Sequence, residues 1–206
     1  MTRKLTRLQT LLAGGAFALA GIGGTATTAL AADTAPTPDS AAAAVVESVT
    51  TNPVAAPAVP SDAELHPVAI TAEQKTFTPD AEQLANAEAI VEAGKAMNLP
   101  PRAWTIAVAT SLQESNLYNI GHLGERNDHD SQGLFQQRPS SGWGTPKQIT
   151  DPTYAATKFY QHLVEVDGWQ DMPLTEAAQT VQVSAYPDAY AQWERQAADL
   201  VAKYWN

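Results

Sequence analysis

Apolar residues recur at three- and four-residue spacing along the second half of the chain, which is the pattern of helices packed on a core. A convincing strand alternation is absent from the sequence, so the domain is predicted to be mostly α. N-capping residues or prolines precede the apolar stripes. They place the predicted helix starts at Thr78, at Pro101, at Asp151, at Thr175 and just after Pro187.

The second predicted helix, from Pro101 to Glu114 or Ser115, is apolar on nearly every side and is therefore expected at the centre of the core. No charged residue lies between Arg102 and Glu114. Apolar surroundings and the negative end of the helix dipole both oppose ionisation of an acid at this end. The pKa of Glu114 should therefore be raised, as a general acid requires. The alternative is an ordinary surface acid at a frayed helix end.

A long loop rich in Gly, Asn, Asp and Ser is predicted between residues 116 and 150. Three acids and two histidines crowd its segment 122–130, and part of that segment imitates a calcium-binding loop. Pro139 stands where such a loop needs a bidentate Glu, and zinc-ligand spacing is unspecific. We therefore predict no metal and no cofactor.

The N-terminal part of the chain has the layout of an export signal followed by a linker. Arg3, Lys4 and Arg7 precede a Leu-, Ala- and Phe-rich run, and small residues at Ala29 and Ala31 suit a signal peptidase. Residues 32–77 are rich in Ala, Pro and Thr, which is typical of a disordered spacer. The predicted organisation is a signal peptide over 1–31, a disordered linker over 32–77 and a folded domain over 78–206.

The charge and the lack of cysteine limit the partners. Without the three basic residues of the signal, basic residues fall from 12 to 9 against 22 acidic ones, a formal charge of −13. Nucleic acid is therefore not an expected partner. The chain has no cysteine, so neither a disulfide nor a lipid anchor on an N-terminal cysteine is available. After processing, a secreted or cell-wall-associated protein with no stable membrane span is expected.

Three motifs recur in the order found in the lysozyme-like lytic transglycosylases. They are "QESNLYNI", "SQGLFQQRPSSGWG" and, far downstream, "VQVSAYPDAY". Residues 80–205 also resemble a group of secreted actinobacterial lysozyme-like proteins that pair "ES" with "GLFQQRPS" and "GWG". Each motif alone is weak, but three in order with plausible spacing favour a lysozyme-like fold. The resemblance implies a glycosidase that cleaves the β-1,4 bond of peptidoglycan glycan strands.

The resemblance also implies roles for particular residues. Glu114 would be the catalytic acid, with Ser115 positioning it. The other substrate-binding residues implied or predicted are Gly133, Leu134, Phe135 and Gln136 in the turn that meets the sugar, Trp143 as a stacking platform, and Tyr186 with Tyr190 near the acid. The third motif departs from the family pattern, because Pro187 and Asp188 follow Tyr186 where the family has Asn and Ala.

Two mechanisms and one non-enzymatic alternative follow from this resemblance. A lytic transglycosylase needs a single acid, because the 6-hydroxyl of the muramyl residue attacks and a 1,6-anhydro sugar is released. A hydrolase needs a second carboxylate. Asp128 and Asp130 lie in the region where goose-type lysozymes orient water, although capping of the loop explains both acids equally well. A wall-binding module without turnover is the third reading, favoured by the altered third motif.

Aromatic and basic side chains complete the set of candidates. Trp143 lies in polar, Gly-containing surroundings, which suits stacking on a sugar face. Trp169, Trp193 and Trp205 are expected in the core instead. Arg138 is predicted either to meet a carboxylate of peptidoglycan or to hold the loop through Asp128 or Asp130.

Overall fold

The computed structural model describes residues 58–206, and these residues form a mostly helical fold that contains no strand. The predicted signal peptide and most of the predicted linker lie outside the described residues. The helices are α1 (Asp62–Leu65), α2 (Ala81–Ala96), α3 (Pro101–Ser115), α4 (Pro146–Ile149), α5 (Pro152–Leu163), α6 (Leu174–Gln182) and α7 (Glu194–Lys203), with 3-10 helices at Gly124–Arg126, Pro139–Ser141 and Ala189–Trp193.

Helix α3 occupies the centre, as its uncharged sequence predicts. It packs against α2, α5, α6 and α7, and its residues from Arg102 to Leu112 are all buried. Pro101 occupies its first turn, where a missing N–H costs nothing, so the predicted start is confirmed. The helix is therefore stabilised by burial on every side and not by one amphipathic face.

Helix α2 begins two residues later than predicted. Asp80, and not Thr78, is the N-cap, because its carboxylate accepts a hydrogen bond from Gln83 N at 3.0 Å. The Gln83 side chain accepts one in return from Asp80 N at 2.8 Å, which completes a capping box. The predicted apolar face is confirmed, since Ala87 and Val91 are fully buried.

A glycine allows α2 and α3 to approach closely. A Cβ atom at Gly94 would overlap Cδ1 and Nε1 of the Trp104 ring, and it would lie 3.0 Å from the hydroxyl oxygen of Tyr160. The hydroxyl of Tyr160 donates to the carbonyl of Ile90 at 2.9 Å, so the side chain of Tyr160 is held in place beside Gly94. Gly94 therefore lies inside a helix because of packing, although it weakens the helix as an isolated element.

The later helices largely follow the predictions. Asp151 caps α5 through the N–H of Tyr154 at 2.8 Å, as expected. Helix α6 begins one residue before the predicted Thr175. The predicted last helix is divided, because residues 189–193 form a 3-10 helix before α7 begins at Glu194. The predicted loop 116–150 contains α4 and two 3-10 turns.

Residues 58–77 correct the predicted domain boundary, since the folded part begins before Thr78. This segment, here called the N-terminal strap, carries α1 and places Leu65 in the core at 4 % exposure. The carbonyl of Leu65 accepts a hydrogen bond from Arg102 Nη1 at 2.8 Å. Composition alone suggested a linker because the strap is rich in Pro and Ala, and its partners are distant in sequence.

A buried ion pair holds α7 to α3 beneath the strap. Glu194 Oε1 lies 2.6 Å from Arg102 Nη1 and 3.2 Å from His66 Nδ1. Burial alone would raise the pKa of Glu194, but the hydrogen bonds and positive charges of His66 and Arg102 lower it overall. The ionised form of Glu194 is therefore favoured in the folded protein.

We predict that Gly94→Ala destabilises the protein by about 1–3 kcal/mol, because overlap with Trp104 outweighs the gain in helix propensity. Urea denaturation followed by circular dichroism measures the change. Gly121→Ala is the matched control, because a Cβ there meets nothing within 4 Å. A Gly94→Ala variant as stable as the wild type would contradict the packing account.

We predict that Glu194→Gln destabilises the protein by about 3–5 kcal/mol at pH 7, because Arg102 is left buried without its counterion. Because the pKa of Glu194 is lowered in the folded protein, the ionised side chain adds stability at pH values above 4.5, its ordinary pKa. This added stability is lost as the pH falls through the pKa that Glu194 has in the folded protein. The difference between the variant and the wild type should therefore shrink below pH 4.5. Exposed Glu88→Gln is the control in the same denaturation series, and an equal loss in both variants would refute the prediction.

Candidate active site

Helix α3 ends abruptly just beyond Glu114 because the next residues turn left-handed. Asn116 has φ of 52° and Leu117 has φ of 62°. Their carbonyls accept hydrogen bonds at 2.8 Å from the side-chain amides of Gln83 and Asn86 on α2. These two buried amides satisfy the helix end, so Glu114 is held on the final turn of a rigid helix.

Glu114 is half-buried, and it accepts a hydrogen bond at 2.7 Å from the hydroxyl of Tyr190. Burial raises the pKa of Glu114, the Tyr190 bond partly opposes the rise, and the negative charge of Asp128 adds to it. The net pKa is raised from the ordinary 4.5, as the sequence predicted. The side chain therefore has the surroundings expected of a proton donor.

Tyr190 lies on the 3-10 helix Ala189–Trp193 and has no exposed surface. Burial raises the pKa of Tyr190, and the charge and hydrogen bond of Glu114 raise it further. The phenol of Tyr190 therefore keeps its proton and is the donor of the hydrogen bond to the Glu114 carboxyl group. A bond to this acceptor is strongest when Glu114 is ionised.

The resemblance implies that Tyr186 hydrogen-bonds near the acid, but in the described part of the chain Tyr190 makes that bond. The side chain of Tyr186 is 73 % exposed, and its backbone N–H donates to Ser184 Oγ at 3.2 Å. The chain turns at Pro187, whose carbonyl accepts a hydrogen bond from Thr175 Oγ1 at 2.7 Å, before the 3-10 helix begins. This turn directs Tyr190 inward, so the second tyrosine of the motif is the partner of Glu114.

Ser115 joins the end of α3 to the turn formed by residues 133–136. Its hydroxyl donates to the carbonyl of Leu134 at 2.8 Å, and α6 reaches the same turn through Gln182 Nε2, 2.9 Å from the carbonyl of Phe135. Ser115 thus holds the turn beside Glu114 and makes no hydrogen bond to the acid itself among the described residues. The first two motifs are brought together as the sequence predicted.

The side chains of that turn mostly face the protein interior. Leu134 is fully buried, and Phe135 stacks on Phe159 with ring centroids 5.0 Å apart. A Cβ at Gly133, which has φ of 77°, would overlap the carbonyl oxygen of Ile149. The glycine therefore permits a close contact within the chain, and the two apolar side chains cannot reach a bound sugar.

Gln136 is the one side chain of the turn that is partly accessible. It has φ of 46°, and its Nε2 donates to the carbonyl of Gly133 at 3.0 Å. The amide is thus folded back over the turn. The Gln136 amide N–H could bind a ligand only in place of its hydrogen bond to the carbonyl of Gly133.

Asp128 and Asp130 are both tied into the loop. Asp128 Oδ2 lies 3.0 Å from Arg138 Nη2, and its Oδ1 lies 2.7 Å from His129 Nδ1. Asp130 accepts from the N–H and hydroxyl of Ser140 at 2.7 and 2.8 Å. The hydrogen bond from His129 lowers the pKa of Asp128, and those from Ser140 lower the pKa of Asp130. The loop-capping role predicted for the two acids is therefore present, and so is the predicted contact of Arg138 with Asp128. The negative charge of Asp128 also raises the pKa of Glu114.

The aromatic residues divide between the core and the surface. Trp143 is partly buried and makes a T-shaped contact with His162, with ring centroids 4.6 Å apart, so part of this ring already packs on the protein. Trp169 and Trp193 are buried, as predicted, and Trp205 packs on Trp104 with ring centroids 5.4 Å apart.

Sequence reasoning missed a cluster of amides beside Glu114. Gln113 Oε1 accepts hydrogen bonds from Gln192 Nε2 at 2.7 Å and from Trp193 Nε1 at 2.9 Å. This cluster joins α3 to the 3-10 helix that carries Tyr190. The only signal in the sequence is a glutamine next to the acid at the end of an otherwise apolar helix.

Within residues 58–206, no three His, Asp or Glu side chains are grouped so that they could hold a metal ion. No helix in the same range is long and apolar enough to cross a membrane.

No protein-family model matches the chain, and no curated protein matches it either.

We predict that Glu114→Gln stabilises the folded protein at pH 7. Because the pKa of Glu114 is raised in the folded protein, ionisation of this side chain lowers the stability of the fold. The loss of stability grows as the pH rises from 4.5, the ordinary pKa, through the higher pKa of Glu114 in the folded protein. The amide keeps an oxygen that can accept from Tyr190. Thermal unfolding should show a higher Tm for the variant at pH 7 and no difference at about pH 3.5. Glu88→Gln controls for loss of charge alone, and a lower Tm of Glu114→Gln at pH 7 would contradict the raised pKa.

Proposed function

We propose that this protein is a peptidoglycan-cleaving glycosidase with a lysozyme-like fold, and that Glu114 is its general acid and base. The substrate is the β-1,4 bond between the muramyl and glucosaminyl residues of glycan strands. The observation that carries the proposal is the half-buried Glu114, with its raised pKa, hydrogen-bonded to Tyr190. The three motifs of the resemblance support the choice of substrate.

The chemistry needs one proton donor that becomes a proton acceptor. Protonated Glu114 gives its proton to the departing glycosidic oxygen as the bond to C1 breaks. The carboxylate formed then accepts the proton of the muramyl 6-hydroxyl as that oxygen bonds to C1, which yields a 1,6-anhydro product. Tyr190 stabilises the carboxylate in the interval by its hydrogen bond.

The arrangement of the acids favours this single-acid route. Both oxygens of Asp130 bind Ser140, and both oxygens of Asp128 already have partners. A hydrolase remains the second candidate for one specific reason. The charge of Asp128 acts on Glu114, and its low pKa keeps it ionised as a base that orients water would need to be.

The predicted export signal fits this substrate, since peptidoglycan lies outside the cytoplasmic membrane. We therefore place the protein among secreted or wall-associated proteins as part of the same proposal. The acidic charge of the chain from residue 32 onward is compatible with a freely diffusing protein.

The purified full chain, incubated with peptidoglycan, should release muropeptides, and Glu114→Gln should lower the rate by about 100- to 10,000-fold. Glu88→Gln, an exposed glutamate on α2, should keep the wild-type rate. Mass spectrometry of the products distinguishes the mechanisms, because anhydro ends indicate a transglycosylase and reducing ends a hydrolase.

Binding without turnover would overturn the enzymatic proposal. If wild type and Glu114→Gln both sediment with peptidoglycan and neither releases muropeptides, the protein is a wall-binding module. Asp128→Asn provides a second test, since loss of reducing-end products in this variant but not in Glu88→Gln would assign the water-orienting role to Asp128.

A further inference from the structure

The 3-10 helix Ala189–Trp193 needs support from outside itself. A 3-10 helix has poor hydrogen-bond geometry, and runs longer than three or four residues are uncommon. This one has five residues and carries Tyr190, whose hydroxyl must stay within hydrogen-bond distance of Glu114. The contacts on its two sides therefore decide where the phenol lies.

On one side the 3-10 helix contacts the end of α3. Tyr190 donates to Glu114 at 2.7 Å, and Gln192 donates to Gln113 at 2.7 Å. These hydrogen bonds, and that of Trp193 Nε1 to Gln113 at 2.9 Å, are made by side chains and not by the backbone of the 3-10 helix. They alone do not fix the backbone of the 3-10 helix.

On the other side the N-terminal strap binds the backbone directly. Gln74 Nε2 donates to the carbonyl of Ala191 at 2.8 Å, and the backbone N–H of Lys75 donates to the carbonyl of Gln192 at 2.8 Å. Gln74 Oε1 accepts from the N–H of Arg195 at 2.9 Å. One glutamine thus bridges the 3-10 helix and the first turn of α7, immediately after Tyr190 in the chain.

The strap is itself fastened at both ends of this contact. The buried side chain of Gln196 makes two hydrogen bonds to the backbone of Phe77. Its Oε1 accepts from the N–H at 2.8 Å, and its Nε2 donates to the carbonyl at 2.8 Å. Upstream, Arg102 holds the carbonyl of Leu65 at 2.8 Å. The ring of Phe77 also meets Trp193 edge-on, with centroids 6.0 Å apart. Gln74 therefore projects from a segment that cannot easily move away.

We propose that Gln74 is a positioning residue which, through the backbone of the 3-10 helix, holds the hydroxyl of Tyr190 against Glu114. The strap, which composition assigns to a linker, then supports the active site from outside. The catalytic consequence rests on the proposed glycosidase function, whereas the positioning itself does not. Gln74 itself binds the backbone at Ala191, the residue that follows Tyr190, so its effect on Glu114 is expected to pass through the position of Tyr190.

A double-mutant cycle on the full chain tests this coupling. The measured quantity is the titration midpoint of Glu114, followed by NMR of carboxyl-labelled glutamate and assigned with Glu114→Gln. Tyr190→Phe removes a hydrogen bond that lowers the pKa of Glu114, so the midpoint should rise. Gln74→Ala should raise it by part of that shift, and should add nothing in the Tyr190→Phe background.

The control is Glu73→Ala, an exposed neighbour on the strap, which should leave the midpoint unchanged. An unchanged or lowered midpoint in Gln74→Ala, or a shift that adds to that of Tyr190→Phe, would overturn the positioning role. If Gln74→Ala does not fold, as judged by circular dichroism, Gln74→Met keeps the side-chain length and is judged by the same criterion.

The same variants separate this inference from the proposed function. If the wild type releases muropeptides, Gln74→Ala should slow the release by up to about 100-fold, with no further loss in the Tyr190→Phe background. If the wild type releases none while the titration cycle behaves as expected, the glycosidase proposal fails and the positioning role stands.

Discussion

The arrangement of the candidate active site depends on the hydrogen bond between Tyr190 and Glu114. Helix α3 is stabilised by burial on every side, yet its last turn carries an acid whose ionisation is opposed by the same burial. The hydroxyl of Tyr190 relieves only part of that opposition. A fold selected for stability alone would place a neutral residue at position 114. Groups that weaken a fold at neutral pH are commonly retained where their chemistry is used.

The elements that meet at Glu114 come from every part of the domain. Buried amides of α2 close the end of α3, Ser115 and Gln182 fix the turn at residues 133–136, and the strap supports the 3-10 helix of Tyr190. The acid is therefore held by elements whose own positions depend on the core. This rigidity suits proton transfer, which requires donor and acceptor at hydrogen-bond distance.

The central helix and its acid could be predicted from sequence because the signals are local. Pro101 marks the start of α3, the absence of charge indicates burial, and the position of Glu114 at the end indicates the raised pKa. The choice between Tyr186 and Tyr190 could not be made this way, because it depends on how the chain turns at Pro187. The role of residues 58–77 could not be predicted either. Composition indicates how much conformational entropy a segment loses when it becomes ordered, but not which distant residues bind it and offset that loss.

The most direct measurement of the central claim is the titration of the Glu114 carboxyl group in the wild-type protein by NMR of carboxyl-labelled glutamate. A midpoint clearly above the ordinary 4.5 is expected, because burial and the charge of Asp128 outweigh the hydrogen bond from Tyr190. A midpoint at or below 4.5 would mean that Glu114 is an ordinary surface acid, and it would contradict the account.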